Sequence, residues 1–344
     1  MQNSFTRMMI EVAVDKALGE IRKKSKRALR NLADLGMHYA KGRFQDEFFT
    51  IAQHMLEDDN SPYYDMFFHL ANNVDPKMLK KFGINLGYNA WTAGAKTIRK
   101  WEQERGYHVP WTVVFNWENL SEHEMLSEEE IQRNISQAKE MGIYCYMFFV
   151  GANQEVFNSL LKVFAHNDDC AFLCFCETPL ITSNLAIQLR KMGNTMPVVE
   201  ISPTQRKETE RACEILLEEE CLFSLWVSYD DEMIPEIWKR YREPQEKSIC
   251  SFVFFIRKEN CSDEAADKLH ELVDEGQETP QSTLFPIDFY EDISHVDRKI
   301  SKEDCYLEIQ SNDRALFGNK LIEFRQGIDF QALLQTYMPR VQFE

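Results

Sequence analysis

Residues able to do chemistry are densest in HNDDCAFLCFCETPLI, His166 to Ile181, where Cys170, Cys174 and Cys176 fall within seven positions. Three thiolates converging from a loop could hold a metal ion or an iron–sulphur cluster. The setting here is different. CAFLCFC reads as a buried strand, in which alternate residues share a face, so the thiols would point in parallel with the last two Cα atoms about 6–7 Å apart. Small apolar fillers of a core strand are the favoured reading, because free cysteine is among the most buried residue types. The alternative is a mononuclear metal or redox site using Cys174 or Cys176 with Cys145 of the neighbouring strand; Cys176 would stand nearest the strand's end.

Other constellations are weaker. The eight histidines form no HExxH and no His-x-His pair, and His123 reads as a solvated loop residue. Walker A, GxGxxG and GxSxG sequences are absent. The acidic pairs Asp58-Asp59, Asp168-Asp169 and Asp230-Asp231 fall at element ends, where caps and solvated turns account for them more simply than acid–base catalysis.

These residues must be positioned by a chain of 344 residues, 44% hydrophobic and 28% charged, enough for a large core in two domains or one barrel-sized one. The net charge of -17 repels phosphate backbones and anionic lipid, so nucleic acid and membrane partners are not expected. The basic run RKKSKRALR, Arg22 to Arg30, reads as a solvated face of an amphipathic helix. Charges interrupt every apolar run of the first 18 residues, which reads as neither signal peptide nor membrane span and places the protein in the cytoplasm, with its nine cysteines as reduced thiols.

Residues 1 to about 105 carry helical periodicity. Within them Gly83, Gly87 and Gly94 recur near one face, which predicts close approach to a neighbouring element; Asn85, Asn89, Lys96 and Arg99 argue against a membrane version of that motif. From Gly106 short apolar runs alternate with amphipathic ones. VPWTVVFN, IYCYMFFVG, CAFLCFC, MPVVEIS, LFSLWVS and ICSFVFFI read as strands, separated by helices such as the capped Ser127–Gly142 and a further one from Thr204 to Glu219. Six such repeats predict an α/β fold with parallel strands and crossover helices. Beyond about residue 259 the pattern is less regular, with TLFPIDFYED and DCYLEIQSNDRALFG read as short strands or a hairpin.

GIYCYMFF, HNDDCAFL, the LI of ETPLI and RKMGNTMPVVEIS together resemble successive strand–helix units of radical S-adenosylmethionine enzymes with a SPASM-like C-terminal extension. NVDPKMLKKFGINLGYNAW and GYHVPWTVVF resemble the helical lead into the first barrel strand in one bacterial branch of that family. The resemblance implies a partial (β/α)6 barrel over 106–258, after a helical domain over 1–105 and before a degenerate SPASM-like extension over 259–344, with chemistry at the C-terminal ends of the strands.

The family's chemistry does not come with it. The loop after the first strand, which in the family carries CxxxCxxC, is here Asn116 to Leu126, without cysteine and with Glu118, Glu122 and Glu124. The turn that holds the cofactor's amino group aligns with Val150, Gly151, Ala152 and Asn153, and Glu155 is the nearest acid. Cys176, Glu177 and Thr178 stand where the family tends to have Thr-Asn-Gly, Ser202 where an acid would fall, with Glu200 two residues before it, and Lys299 and Gly318 where auxiliary cysteines would fall. The resemblance therefore implies a non-catalytic relative, a binding or regulatory subunit partnering an active paralogue or presenting its substrate. Its pocket rim would be Gly151, Asn153, Cys176, Glu177, Glu200 and Ser202, without metal or iron–sulphur cluster. The alternatives are an enzyme of altered chemistry using Cys176, Glu177, Glu200, Glu118 or Glu122, and S-adenosylmethionine held without a cluster.

Overall fold

The structure is a computed structural model that describes residues 2–39, 50, 52–118, 120, 124–202, 206–242, 252–279 and 282–340. Glu122, His123 and the expected helix start at Thr204 lie outside the described residues. The chain divides into two compact units, the first Met1–Lys80, Ile181–Lys191 and Pro197–Asp292, the second Lys81–Leu180, Met192–Met196 and Ile293–Glu344.

The expected class is observed: mixed α/β, with parallel strands joined by helices after a helical N-terminal region. In the second unit β1 (Thr112–Asn116), β2 (Cys145–Gly151) and β3 (Ala171–Cys176) pair in parallel in that order. These runs lack polar alternation because both faces are covered, and every residue of β2 and β3 is buried. Aromatic rings fill the space against the helix Gln154–His166, where Phe115 stacks on Phe148 at 4.6 Å and Phe164 on Phe172 at 4.3 Å, while Phe149 stacks on Phe175 at 4.4 Å on the opposite face of the strands. In the first unit the residues of β4 (Thr195–Glu200) from Pro197 on, β5 (Ser224–Tyr229), β6 (Phe252–Arg257) and β7 (Phe285–Asp288) follow one another in parallel register. Tyr64, Phe68, Ile21, Leu29 and Leu56 help bury the N-terminal helices of the same unit.

Two readings are corrected. Residues beyond 259 are as regular as those before, with helices Asp263–Glu278 and Phe289–Ser301 leading to β7 and to β8 (Leu307–Ile309). β8 pairs in parallel with β1 and then antiparallel with β9 (Arg314–Phe317), which pairs with β10 (Lys320–Glu323), so the expected hairpin is present as well. The basic run is not one helical face: Arg22 to Ser25 form the turn between helices Gln2–Ile21 and Lys26–Tyr39, with Lys24 at φ +59°.

Of the three glycines, only Gly94 makes the close approach, and it does so from a π-helical stretch, Asn85–Gly94. A Cβ there would lie 2.3 Å from the backbone oxygen of Gly142, whereas one at Gly83 or Gly87 would meet nothing within 4 Å. The same stretch anchors the turn into β3. Asn85 Nδ2 donates to the carbonyls of Asp168 and Cys170, and Asn89 Nδ2 to those of Asp169 and to Asn85 Oδ1.

Candidate functional site

Buried strands carry their side chains into the core, and the thiols follow. Cys170, Cys174 and Cys176 are fully buried. Desolvation raises the Cys174 thiol far above its ordinary range and pushes Cys176 up to about 12, with the Glu177 charge adding to the second. The redox alternative meets a register problem. Cys145 stands opposite Ala171, while Cys174 stands opposite Phe148, so the two are three residues apart along the strands, about 10 Å.

At the C-terminal ends of β1 to β3 the exposed chemistry is carboxylate. The chain turns at Gly151 with φ +55°, a conformation that glycine adopts without a Cβ penalty, and a Cβ there would lie 3.3 Å from Glu118 Cγ and 3.5 Å from Glu177 Oε1. Gly151 O also accepts the Glu177 N–H at 3.0 Å, which holds the two segments in register past the strand. Glu118 and Glu177 thus flank one glycine. Partial desolvation, and then the Glu177 charge, raise the Glu118 carboxyl above its ordinary value. Asn153 has a structural duty beside them: its side chain caps the helix Gln154–His166 by accepting the N–H groups of Glu155 and Val156 at 3.1 Å. The structure therefore groups Gly151, Asn153, Cys176 and Glu177 in the second unit, with Cys176 turned into the core; Glu200 and Ser202 belong to the first.

The acidic pairs do what element ends require. Asp169 pairs with Lys139 at 2.6 Å, Asp230 with Lys258 at 3.0 Å and Asp59 with Arg30 at 3.1 Å, and Asp231 accepts the Ser262 N–H.

A cluster with no local sequence signature lies in the first unit at the end of β7. His270 Nδ1 is 3.4 Å from Asp288 and its Nε2 3.5 Å from Asp274, while Asp292 Oδ2 accepts the Asp288 N–H and Gln277 Nε2. The hydrogen-bonded Asp288 raises His270 to about 9, and burial, then the Asp288 charge, raises Asp292 to about 7. Both folded-state values exceed the ordinary 6.5 and 3.8, so the folded form binds more protons and both contributions to stability fall as pH rises. Denaturation midpoints measured across pH should show the fall shallower in Asp292→Asn between about pH 4 and 7 and in His270→Gln between about pH 6.5 and 9, relative to wild type.

A third group gathers donors from separate segments of the second unit. The helix Ala95–Arg105 places Glu102 one turn before its end, Gly106 (φ +75°) reverses the chain, and His108 and Val109 return past it. Glu102 Oε1 accepts the Val109 N–H at 3.1 Å and lies 3.5 Å from His108 Nδ1. Cys305, two residues before β8, completes a set whose ligand atoms all lie within 4.8 Å of one another. This set is able to take a metal ion. The expectation of no metal, no iron–sulphur cluster and at most S-adenosylmethionine therefore does not stand. Reading local spacings could not find it, since the donors come from a helix end, a turn and a strand approach far apart in the chain.

No helix among the described residues is long and apolar enough to cross a membrane. No family model matches the chain, and no curated protein matches it. Among solved structures the chain is similar to methylornithine synthase, with TM-score 0.40 and 8% identity over 83% of this chain and 94% of that one. It is also similar to the 3,6-anhydro-D-galactonate cycloisomerase from Zobellia galactanivorans, with TM-score 0.34 and 11% identity over 87% of this chain and 83% of that one.

Proposed function

We propose that the chain is a radical SAM-like pseudoenzyme acting as a binding or regulatory subunit, and that Glu118 and Glu177, flanking Gly151, receive a cationic side chain of a protein partner. The observation that carries this reading is the placing of two acidic side chains beside one glycine, at strand ends where the thiols are buried and the loop after β1 has none. Partial desolvation, and then the Glu177 charge, raise the Glu118 carboxyl, and an ammonium or guanidinium beside the pair would neutralise it with charge-assisted hydrogen bonds. The net charge of -17 favours encounter with a basic partner. An intact radical SAM enzyme or its substrate is the partner class that the family resemblance supports.

Calorimetric titration with a lysine-rich peptide tests the site. Glu118→Gln with Glu177→Gln should weaken binding by at least about tenfold, the scale of one lost charge-assisted contact. A control with two exposed substitutions elsewhere, Glu232→Gln and Glu271→Gln, should change it by less than about threefold, as expected for screened charges. Equal loss in both variants would mean that net charge alone attracts the peptide and would remove the support. The raised Glu118 carboxyl favours one second reading, general acid–base chemistry by the same pair, which predicts turnover of a small substrate that is lost in Glu118→Gln while peptide binding persists.

A further inference from the structure

We infer that Glu102, His108 and Cys305 form a structural binding site for a borderline transition metal ion, Zn2+ foremost. The donor set is one carboxylate oxygen, one imidazole nitrogen and one thiolate, all within 4.8 Å of one another. A tetrahedral zinc ion with bonds of about 2.0–2.3 Å sets its ligand atoms about 3.3–3.6 Å apart, so closing the site requires movements of roughly 1 Å. The His108 Nδ1 to Glu102 Oε1 distance of 3.5 Å already falls in that range. Mixed oxygen, nitrogen and sulphur donors discriminate against magnesium and calcium, which take oxygen.

A second observation points the same way. Asp297 is fully buried; its Oδ1 accepts the Trp111 N–H at 3.0 Å, and its Oδ2 has no hydrogen-bond partner among the described residues. It is in electrostatic contact with both Glu102 and Cys305. A cation held by the three donors would offset the cost of a charge on these buried carboxylates. The frame around them is built. His108 N–H donates to Met338 O at 2.7 Å, Arg340 N–H to Gly106 O at 3.0 Å, and Ser301 Oγ to Val109 O at 3.2 Å.

The place in the fold sets the role. His108 precedes β1 and Cys305 precedes β8, which pairs in parallel with β1, so the site lies at the N-terminal ends of these strands. In α/β barrels that end serves stability and the other serves chemistry. A bound ion would clamp the helix Ala95–Arg105 to the starts of β1 and β8.

The full chain, stripped of metal and reloaded with one equivalent of zinc, tests this by elemental analysis after gel filtration, by thermal melting, and by absorption after cobalt substitution. Wild type should retain one zinc per chain, melt higher with zinc than with magnesium, and show a thiolate-to-cobalt charge-transfer band. Cys305→Ser and His108→Gln should each weaken zinc binding by at least about 100-fold, with Cys305→Ser abolishing the band. Should a variant fail to fold, the wild-type zinc content and cobalt band decide. A wild-type chain that loses zinc on gel filtration, or a cobalt band that persists in folded Cys305→Ser, overturns the assignment.

Discussion

Gly94→Ala is expected to lose about 3 kcal/mol or more of stability, the upper end of what overpacking costs in a close-packed interior. The added methyl would sit 2.3 Å from Gly142 O and 2.6 Å from Asn89 O, and both obstacles are backbone, which cannot step aside as a side chain does. The approach is reciprocal. A Cβ on Gly142 would lie 2.5 Å from Gly94 O, and Gly142 also holds φ +106° as the residue that ends the helix Glu128–Met141. Gly83→Ala and Gly87→Ala meet open space, and helix propensity predicts that each is neutral or gains up to about 1 kcal/mol. Urea denaturation of the three variants checks the contrast. Equal effects at Gly83 and Gly94 would mean that the π-helical stretch does not pack on the end of the helix Glu128–Met141.

The second large effect concerns the stretch that carries the thiols. Asn85→Ala removes two hydrogen bonds, a partly buried one to Asp168 O at 2.9 Å and a buried one to Cys170 O at 2.8 Å, and takes from Asn89 one of its acceptors. Buried acceptors left without partners cost about 1–3 kcal/mol each, so a loss of about 2–4 kcal/mol is expected, against less than about 1 kcal/mol for the exposed control Asn158→Ala. Amide hydrogen exchange locates the damage: Cys170 and Ala171 should lose protection before the amides of β1 do. Unchanged protection at Cys170 would mean that the turn into β3 holds without the asparagine clamp.

The strands were legible for a physical reason. Both faces of β1 to β6 are largely covered, so their sequences are unbroken apolar runs such as YMFFV and VFFI, bounded by helices such as the one capped by Ser127, which acts as it reads. FPID and LEI, the cores of β7 and β8, are four and three residues long and carry too few positions for a period to show, so the alternation looked irregular where it is not. Gly94 was legible as a close approach, but Gly83 and Gly87 carry the same residue type and differ only in what stands opposite. Glu177 and Glu118 were visible as acids at strand ends; their facing each other across Gly151 depends on a positive φ that the sequence does not encode uniquely. The group around Cys305 joins residues from distant segments and leaves no spacing to read, whereas His270 and Asp274 stand four apart on one helix and their meeting with Asp288 and Asp292 depends on how that helix returns to β7.

Hydrogen exchange of the whole chain with and without the lysine-rich peptide tests the central claim, that the working surface is the acid pair at the ends of β1 to β3, most directly. The account predicts new protection confined to the segments around 116–118, 150–153 and 176–178, absent in the Glu118→Gln, Glu177→Gln variant. Protection elsewhere, or the same protection in that variant, would contradict it.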